Sequence, residues 1–343
     1  MKVGIGLITC QAHPDDTRSE AERYRDAIDQ AVAAERLGFD SVWVSEHHFV
    51  DDGYMPSVLP VCAAIAAKTS LITIGTAVAL APFYEPLRLA EDAATVDLIS
   101  GGRLILGLGQ GWRPEEFDAF GVAPQSRGQV LEDTVTTLRQ AWTEGTVSGG
   151  GLLSYPNVSV RPKPATGGIP IWIGATVERS IRRTGRIANG FIAAGSLEEP
   201  YTPEEFRKQL AWINEERQAL DDASIFTPCM FLPTYASSGP DPWTQVRDYV
   251  HYTYWKYEDM AYARSRTGPS KNPPVLEQGR ETFLRENGII GSPEAVAEKI
   301  QRFAEVAGSE FHYIARLYWP GMSRERQLEA MHAFAETVIP LLC

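Results

Sequence analysis

Cysteine is scarce and scattered in this 343-residue chain: Cys10, Cys62, Cys229 and Cys343 include no CxxC pair. That excludes a cysteine-built zinc site or dithiol redox motif, and it fits a reduced, cytoplasmic protein. Long apolar runs are missing too, since none approaches the ~20 residues needed to span a bilayer. The opening "MKVGIGLITCQAHPDD" meets acid before its apolar part is long enough for a signal peptide. Basic charge is also short. Against 44 Asp and Glu stand 32 Lys and Arg, a formal net charge of −12, which argues against a surface that tracks nucleic-acid phosphates. Neither nucleic acid nor membrane is an expected partner. No linker, repeat or low-complexity tract divides the chain, so residues 1–343 read as one domain.

What is present is an alternation of short β-branched runs with longer helical ones. "VGIGLI" (3–8), "SVWVSE" (41–46), "LITIGTAVAL" (71–80), "RLILGLG" (103–109), "IPIWIGA" (169–175), "GFIAAG" (190–195), "SIFTPCMFLPTYA" and "EFHYIARLYW" read as eight strands. Helices fill the gaps. Thr17-x-x-Glu20 offers a capping box ahead of the first, and Thr202-Pro203-x-Glu205 joins an N-cap to a proline at the first helical position. An aromatic-rich helix is expected over 242–263. Two connections are long, 145–169 after strand four and 264–291 after strand seven, and loops of that length are expected as lids or mobile insertions. The fold class is α/β. Eight strand–helix units predict a single (β/α)8 TIM barrel, with a doubly wound open sheet as the competitor because periodicity does not show closure.

In such a barrel the active site lies at the C-terminal ends of the strands. Strand two ends in "EHHF", which places His47 and His48, two of six histidines, at that mouth. Neighbouring side chains on extended chain point to opposite sides, so the two rings do not suit one metal. No other His, Asp or Glu cluster at metal spacing is present, and no metal is expected. One functional imidazole, or one structural ring beside an exposed one, are the remaining readings. After strand four, "GLGQGW" (107–112) resembles a dinucleotide fingerprint but has Trp112 where the third glycine belongs. Its glycines mean either close approach of backbone to a planar ligand or a tight barrel corner.

"GFDSVWVSEHHF", "IGTAVALAPFYEPLRLAEDAATVDLISGGRLILGLGQGW", "IPIWIGA" and "YWPGM", in this order and spacing, resemble the bacterial luciferase-like flavin-dependent monooxygenases over nearly the whole chain. The resemblance implies a (β/α)8 barrel that binds reduced FMN supplied by a separate reductase, with O2 adding at flavin C4a to give a peroxyflavin that oxygenates a small organic substrate. It implies His47 beside the flavin ring as the catalytic group, with His48 turned away to brace the loop. It assigns cofactor contacts to Thr76, Ala77 and Val78, with a cis peptide between the last two. Gly109 and Gln110 form the strand-four wall, and Ala175, Thr176 and Val177 the phosphate turn, where a helix start favours an anion. Arg179, Arg182 and Arg183 are candidates for added positive charge. The chain departs from luciferase proper at Gly109, where that protein has a reactive cysteine, and at Gln110, where it has arginine.

For the substrate, His251, Tyr254 and Trp255 on the aromatic helix are either core or the wall of a pocket. Arg316, within strand eight, needs an anionic partner if it is buried, either a ligand or a structural carboxylate. A second copy of the chain is expected as a partner. Two alternatives stay open: a coenzyme F420-dependent oxidoreductase, and a non-catalytic flavin-binding protein on the same barrel.

Overall fold

The computed structural model describes residues 1–149, 156–195, 199–262 and 272–342. Its strands Lys2–Ile8, Ser41–Val44, Thr73–Thr76, Leu104–Gly109, Ile171–Ala175, Gly190–Ala194, Thr227–Ala236 and His312–Arg316 each pair in parallel with the next. The first and last close the circle, with Lys2 to Gly6 in register against His312 to Arg316. That closure makes the sheet a (β/α)8 barrel and rules out the open sheet.

The lower half of the barrel is filled. Trp43 and Trp172 stack with ring centroids 5.2 Å apart, and His312 meets both edge-on. Trp43 Nε1 donates to Ser41 Oγ at 2.7 Å, and the same hydroxyl lies 2.7 Å from His312 Nε2. Gly75 has to be glycine here, because a Cβ would run into the Trp43 ring. Ser41 and His312 open their strands and Trp172 is second in its own, which sets the plug toward the N-terminal end.

Local signals decide most helix starts. Thr202 Oγ1 accepts from the Glu205 amide at 3.2 Å and Pro203 opens Pro203–Ala219, as the sequence indicates. The first helix, Glu20–Arg36, differs: its capping box is Ser19 with Glu22, not Thr17 with Glu20. Ser19 is the residue with extended backbone directly before the first turn, and its hydroxyl and Glu22 bond reciprocally.

Two expected elements are broken up. The run 71–80 becomes Thr73–Thr76 and Ala79–Leu80, with the Ala77–Val78 peptide cis between them as the resemblance implies. The Gly6–Leu7 peptide is cis as well, which the sequence did not indicate. The segment 264–291 is not a mobile connection throughout. It holds the helix Gln278–Asn287 and the strand Ile289–Gly291, which pairs with Thr234–Ala236. Two buried residues anchor that polar helix, Leu284 in a cluster with Trp243, Val246 and Tyr254 and Asn287 through the Tyr254 hydroxyl, too weak a periodic signal to read in advance. Residues 264–271 of this segment, and 150–155 of the segment 145–169, lie outside the described residues. Val147 and Val158 form an antiparallel bridge across the latter.

Candidate active site

At the end of strand two the chain turns across the barrel mouth, and the two histidines part company. His47 Nδ1 lies 2.9 Å from Glu116 Oε1, and the same carboxylate oxygen accepts the His48 backbone N–H at 2.9 Å. His48 Nε2 instead meets Glu46 Oε1 at 2.9 Å, while the Tyr84 hydroxyl donates to Glu46 Oε2 at 2.6 Å. Each ring therefore has its own buried carboxylate on its own side of the strand. Arg113 donates to the carbonyls of His48 and Phe49 and fixes the turn. With a carboxylate at Nδ1, the His47 proton sits on that nitrogen. Among the described residues Nε2 has no hydrogen-bond partner, and it is left for chemistry in the cavity that His47 lines. Among the described residues, no group of three or more His, Cys, Asp or Glu side chains could hold a metal ion.

Glu116 escaped the sequence reading. It lies on a seven-residue helix, Pro114–Phe120, too short for periodicity to reveal. The available signal was "RPEEFDAFG": proline at the first position, two acidic residues in the first turn, and a glycine stop.

Beside His47 opens a cavity of about 290 Å³ lined by Ala77, Val78, Gly109, Gln110, Ala175, Thr176 and Val177, seven positions that the sequence assigned to a cofactor. Thr76 is the exception. Its side chain is buried and donates to the Gly107 carbonyl at 2.7 Å, so it supports the wall from behind. Two glycines of "GLGQGW" are required by the protein itself. A Cβ on Gly107 would strike the Thr76 carbonyl, and one on Gly109 would strike Val78. The tight-corner reading accounts for them.

One end of this cavity suits an anion. The helix Glu178–Ile187 starts there with Val177 as an N-cap that supplies no side-chain hydrogen bond, which leaves its first amides open. Gln110 Nε2 donates to Ser180 Oγ at 2.8 Å, so that hydroxyl keeps its own proton to offer. Arg127 lines the same cavity and makes no ion pair among the described residues. The arginines singled out from sequence are elsewhere. Arg179 is exposed, Arg182 pairs with Glu178, Glu215 and Glu216, and buried Arg183 pairs with Glu132 at 2.5 Å. Arg127 carries no motif and was not legible.

A second cavity, of about 990 Å³, adjoins the first and shares Trp112, Val177, Phe231 and Tyr257 with it. Of the four substrate candidates, Tyr254 and Arg316 line it. His251 and Trp255 do not: His251 Nε2 meets the Pro274 carbonyl at 2.8 Å, and Trp255 is buried beside Tyr252 with centroids 5.5 Å apart. On the helix Pro242–Tyr262 the residues that face the mouth are Tyr254, Tyr257 and Ala261, spaced by three and four. Tyr257 was thus missed by choosing the neighbouring stripe. Its hydroxyl lies 2.8 Å from that of Tyr54, which donates to Ser45 Oγ at 3.0 Å. Burial holds the Tyr54 phenol well above its ordinary pKa, so it stays protonated.

A family model described as luciferase-like monooxygenase matches residues 1–310. The oxygenase component of flavin-dependent trigonelline monooxygenase from Acinetobacter baylyi is 24% identical over 95% of this chain and 91% of its own length. An F420-dependent glucose-6-phosphate dehydrogenase from Kribbella flavida is 34% identical over 95% of this chain and 97% of its own. The crystal structure of the monooxygenase RslO1 from Streptomyces bottropensis superposes with a TM-score of 0.82 at 24% identity, covering all of both chains.

Proposed function

The chain belongs to the luciferase-like monooxygenase family, and from that premise we propose that it is the FMN-dependent oxygenase of a two-component system, served by a separate flavin reductase. One observation carries the reading: His47 presents an unbonded Nε2 to a cavity whose far end is an unpaired anion site. A flavin mononucleotide needs both, a shelf for its aromatic ring beside a proton-handling group and a phosphate seat. When bound, reduced FMN supplies the electrons that activate O2. Ala77, Val78 and Leu7 shelve the ring, and Arg127, Ser180 and the amides at Thr176 and Val177 take the phosphate. His47 holds or moves a proton at Nε2, while Glu116 steadies the charged imidazole. Trp112, Phe231 and Tyr257 keep water from the junction of the two cavities, which favours oxygen transfer over loss as peroxide. The relative from Acinetobacter, itself an oxygenase component, supports the two-component reading.

Coenzyme F420-dependent hydride transfer is the second reading. It is favoured by the 34% identity to an F420-dependent dehydrogenase along nearly the whole chain. A histidine backed by a carboxylate serves proton transfer in either chemistry. Fluorescence titration with FMN, FAD and F420, followed by turnover under labelled O2, separates them. Tighter binding of FMN than of FAD or F420, with label in a product, is expected. Preference for F420 with substrate oxidation and no incorporated label replaces the first reading by the second. Flavin binding without turnover leaves a flavin-binding protein.

A further inference from the structure

Arg316 ends the last barrel strand with its guanidinium in the larger cavity, and among the described residues it has no hydrogen bond and no ion pair. The residue is 7% exposed. It lies over the Tyr257 ring, whose centroid is 5.3 Å from the guanidinium carbon, with the phenols of Tyr254 and Tyr54 also near. A buried cation kept without a counter-charge is costly. Stacking on an aromatic face offsets part of that cost and leaves the N–H edge of the fork free.

We propose that this edge is the seat of a substrate carboxylate, so that the oxygenase acts on an organic monoanion, an aromatic acid being the best fit to the walls. A planar guanidinium fork matches a carboxylate in bidentate geometry. Charge count decides against a phosphate ester. Arg316 is the only Lys, Arg or His among the described residues of this cavity, whose rim also carries the acids Glu199 and Glu205. A dianion would face one cation against two carboxylates. The remaining wall, Tyr254, Tyr257, Phe231 and Leu232, is aromatic and aliphatic and accepts a flat apolar body.

Position links this seat to the chemistry. Tyr257 lies under Arg316 and 6.0 Å, centroid to centroid, from the His47 ring. A molecule held by its carboxylate at Arg316 extends across Tyr257 into the smaller cavity. The inference deepens the function proposed above and rests on it for the reaction, but the anion seat itself needs no cofactor.

The test uses the full chain and three probes: 2-naphthoate, 2-naphthamide and 2-naphthyl phosphate. Binding is followed by calorimetry without flavin, and FMN binding is measured separately by fluorescence. In the wild type, naphthoate is expected to bind roughly 10- to 100-fold more tightly than the amide, the range of charge-assisted hydrogen bonds. It should also bind more tightly than the phosphate. Arg316→Gln should remove that preference, and Arg316→Lys should restore part of it, with FMN affinity unchanged in both. Circular dichroism checks folding, and a Gln variant that does not fold leaves the decision to the Lys variant and the probe ranking. Equal binding of acid and amide, no naphthoate binding, or naphthoate affinity indifferent to Arg316 overturns the proposal. Tighter binding of the phosphate overturns the choice of carboxylate. Arg316-dependent naphthoate binding in a chain that fails to bind FMN would keep the anion seat and remove the flavin reading.

Discussion

His47 Nδ1 and Glu116 Oε1 lie 2.9 Å apart, joining the end of strand two to a short helix after strand four. His47 lines the cavity and His48 does not, and the carboxylate at Nδ1 favours the tautomer that leaves Nε2 toward it. His47→Ala is expected to lower kcat/KM by ~10²–10³-fold, within the range for acid–base groups. His48→Ala should cost less, because its ring is held on Glu46 and does not line the cavity. Glu116→Gln should fall between the two. Steady-state rates with folding checked by circular dichroism decide it, and equal losses at His47 and His48 would falsify the assignment of one functional ring.

The anion end of the smaller cavity predicts a phosphate preference that depends on Arg127. Wild-type protein should bind FMN more tightly than riboflavin, and Arg127→Ala should narrow that gap by roughly tenfold, the scale of a charge-assisted contact. Titration of both flavins against both proteins gives the ratio. An unchanged ratio would place the phosphate elsewhere.

Much of this architecture was legible in the sequence. Strand and helix periods count out eight units, and "EHHF" and "IPIWIGA" sit where strand ends must be. Side chains that act across long sequence separations were not legible. Glu116 is 69 positions from its histidine in sequence, and a seven-residue helix has no period to display. Arg127 stands in no motif. On the aromatic helix, one choice of stripe put His251 and Trp255 at the mouth in place of Tyr257, because every face of "YVHYTYWKYEDM" carries an aromatic ring. Thr76 was assigned to the cofactor although alternation along the strand turns its side chain to the Gly107 carbonyl. Local pattern fixes elements; convergence of distant residues needs the closed barrel.

Acid should weaken the fold through His312. Burial, with help from the positive charges of Lys2 and the N-terminus, depresses its pKa from 6.5 to about 3. Below pH 6.5 the unfolded chain takes up a proton that the folded chain refuses until near pH 3, so stability falls with pH across that window. Linkage puts the loss from this one ring at about 2 kcal/mol between pH 7 and pH 5. His312→Gln keeps a polar group for Ser41 and cannot titrate, so its urea midpoint should drop less over the same interval. Identical pH dependence in the two proteins would show that the ring does not govern it.

Tyr257 separates two demands that meet at one side chain. Its hydroxyl pairs with Tyr54, while its ring supports Arg316 and forms wall for both cavities. Tyr257→Phe removes only the hydroxyl. Tyr54 still donates to Ser45, so the cost to stability should be about 1 kcal/mol, that of one ordinary hydrogen bond. The ring remains, and with it the cation–π contact and the barrier to water. Tyr257→Ala removes all three, merges the cavities and lets water reach the oxygen-activating centre, which favours peroxide over product. Peroxide yield per turnover, measured beside incorporation of labelled oxygen, should therefore stay within about twofold of wild type in the Phe variant. In the Ala variant it should rise steeply while FMN affinity changes little. If the Phe variant leaks as much peroxide as the Ala variant, the wall is not what matters, and the Tyr257–Tyr54 hydroxyl pair becomes the proton path to be tested next.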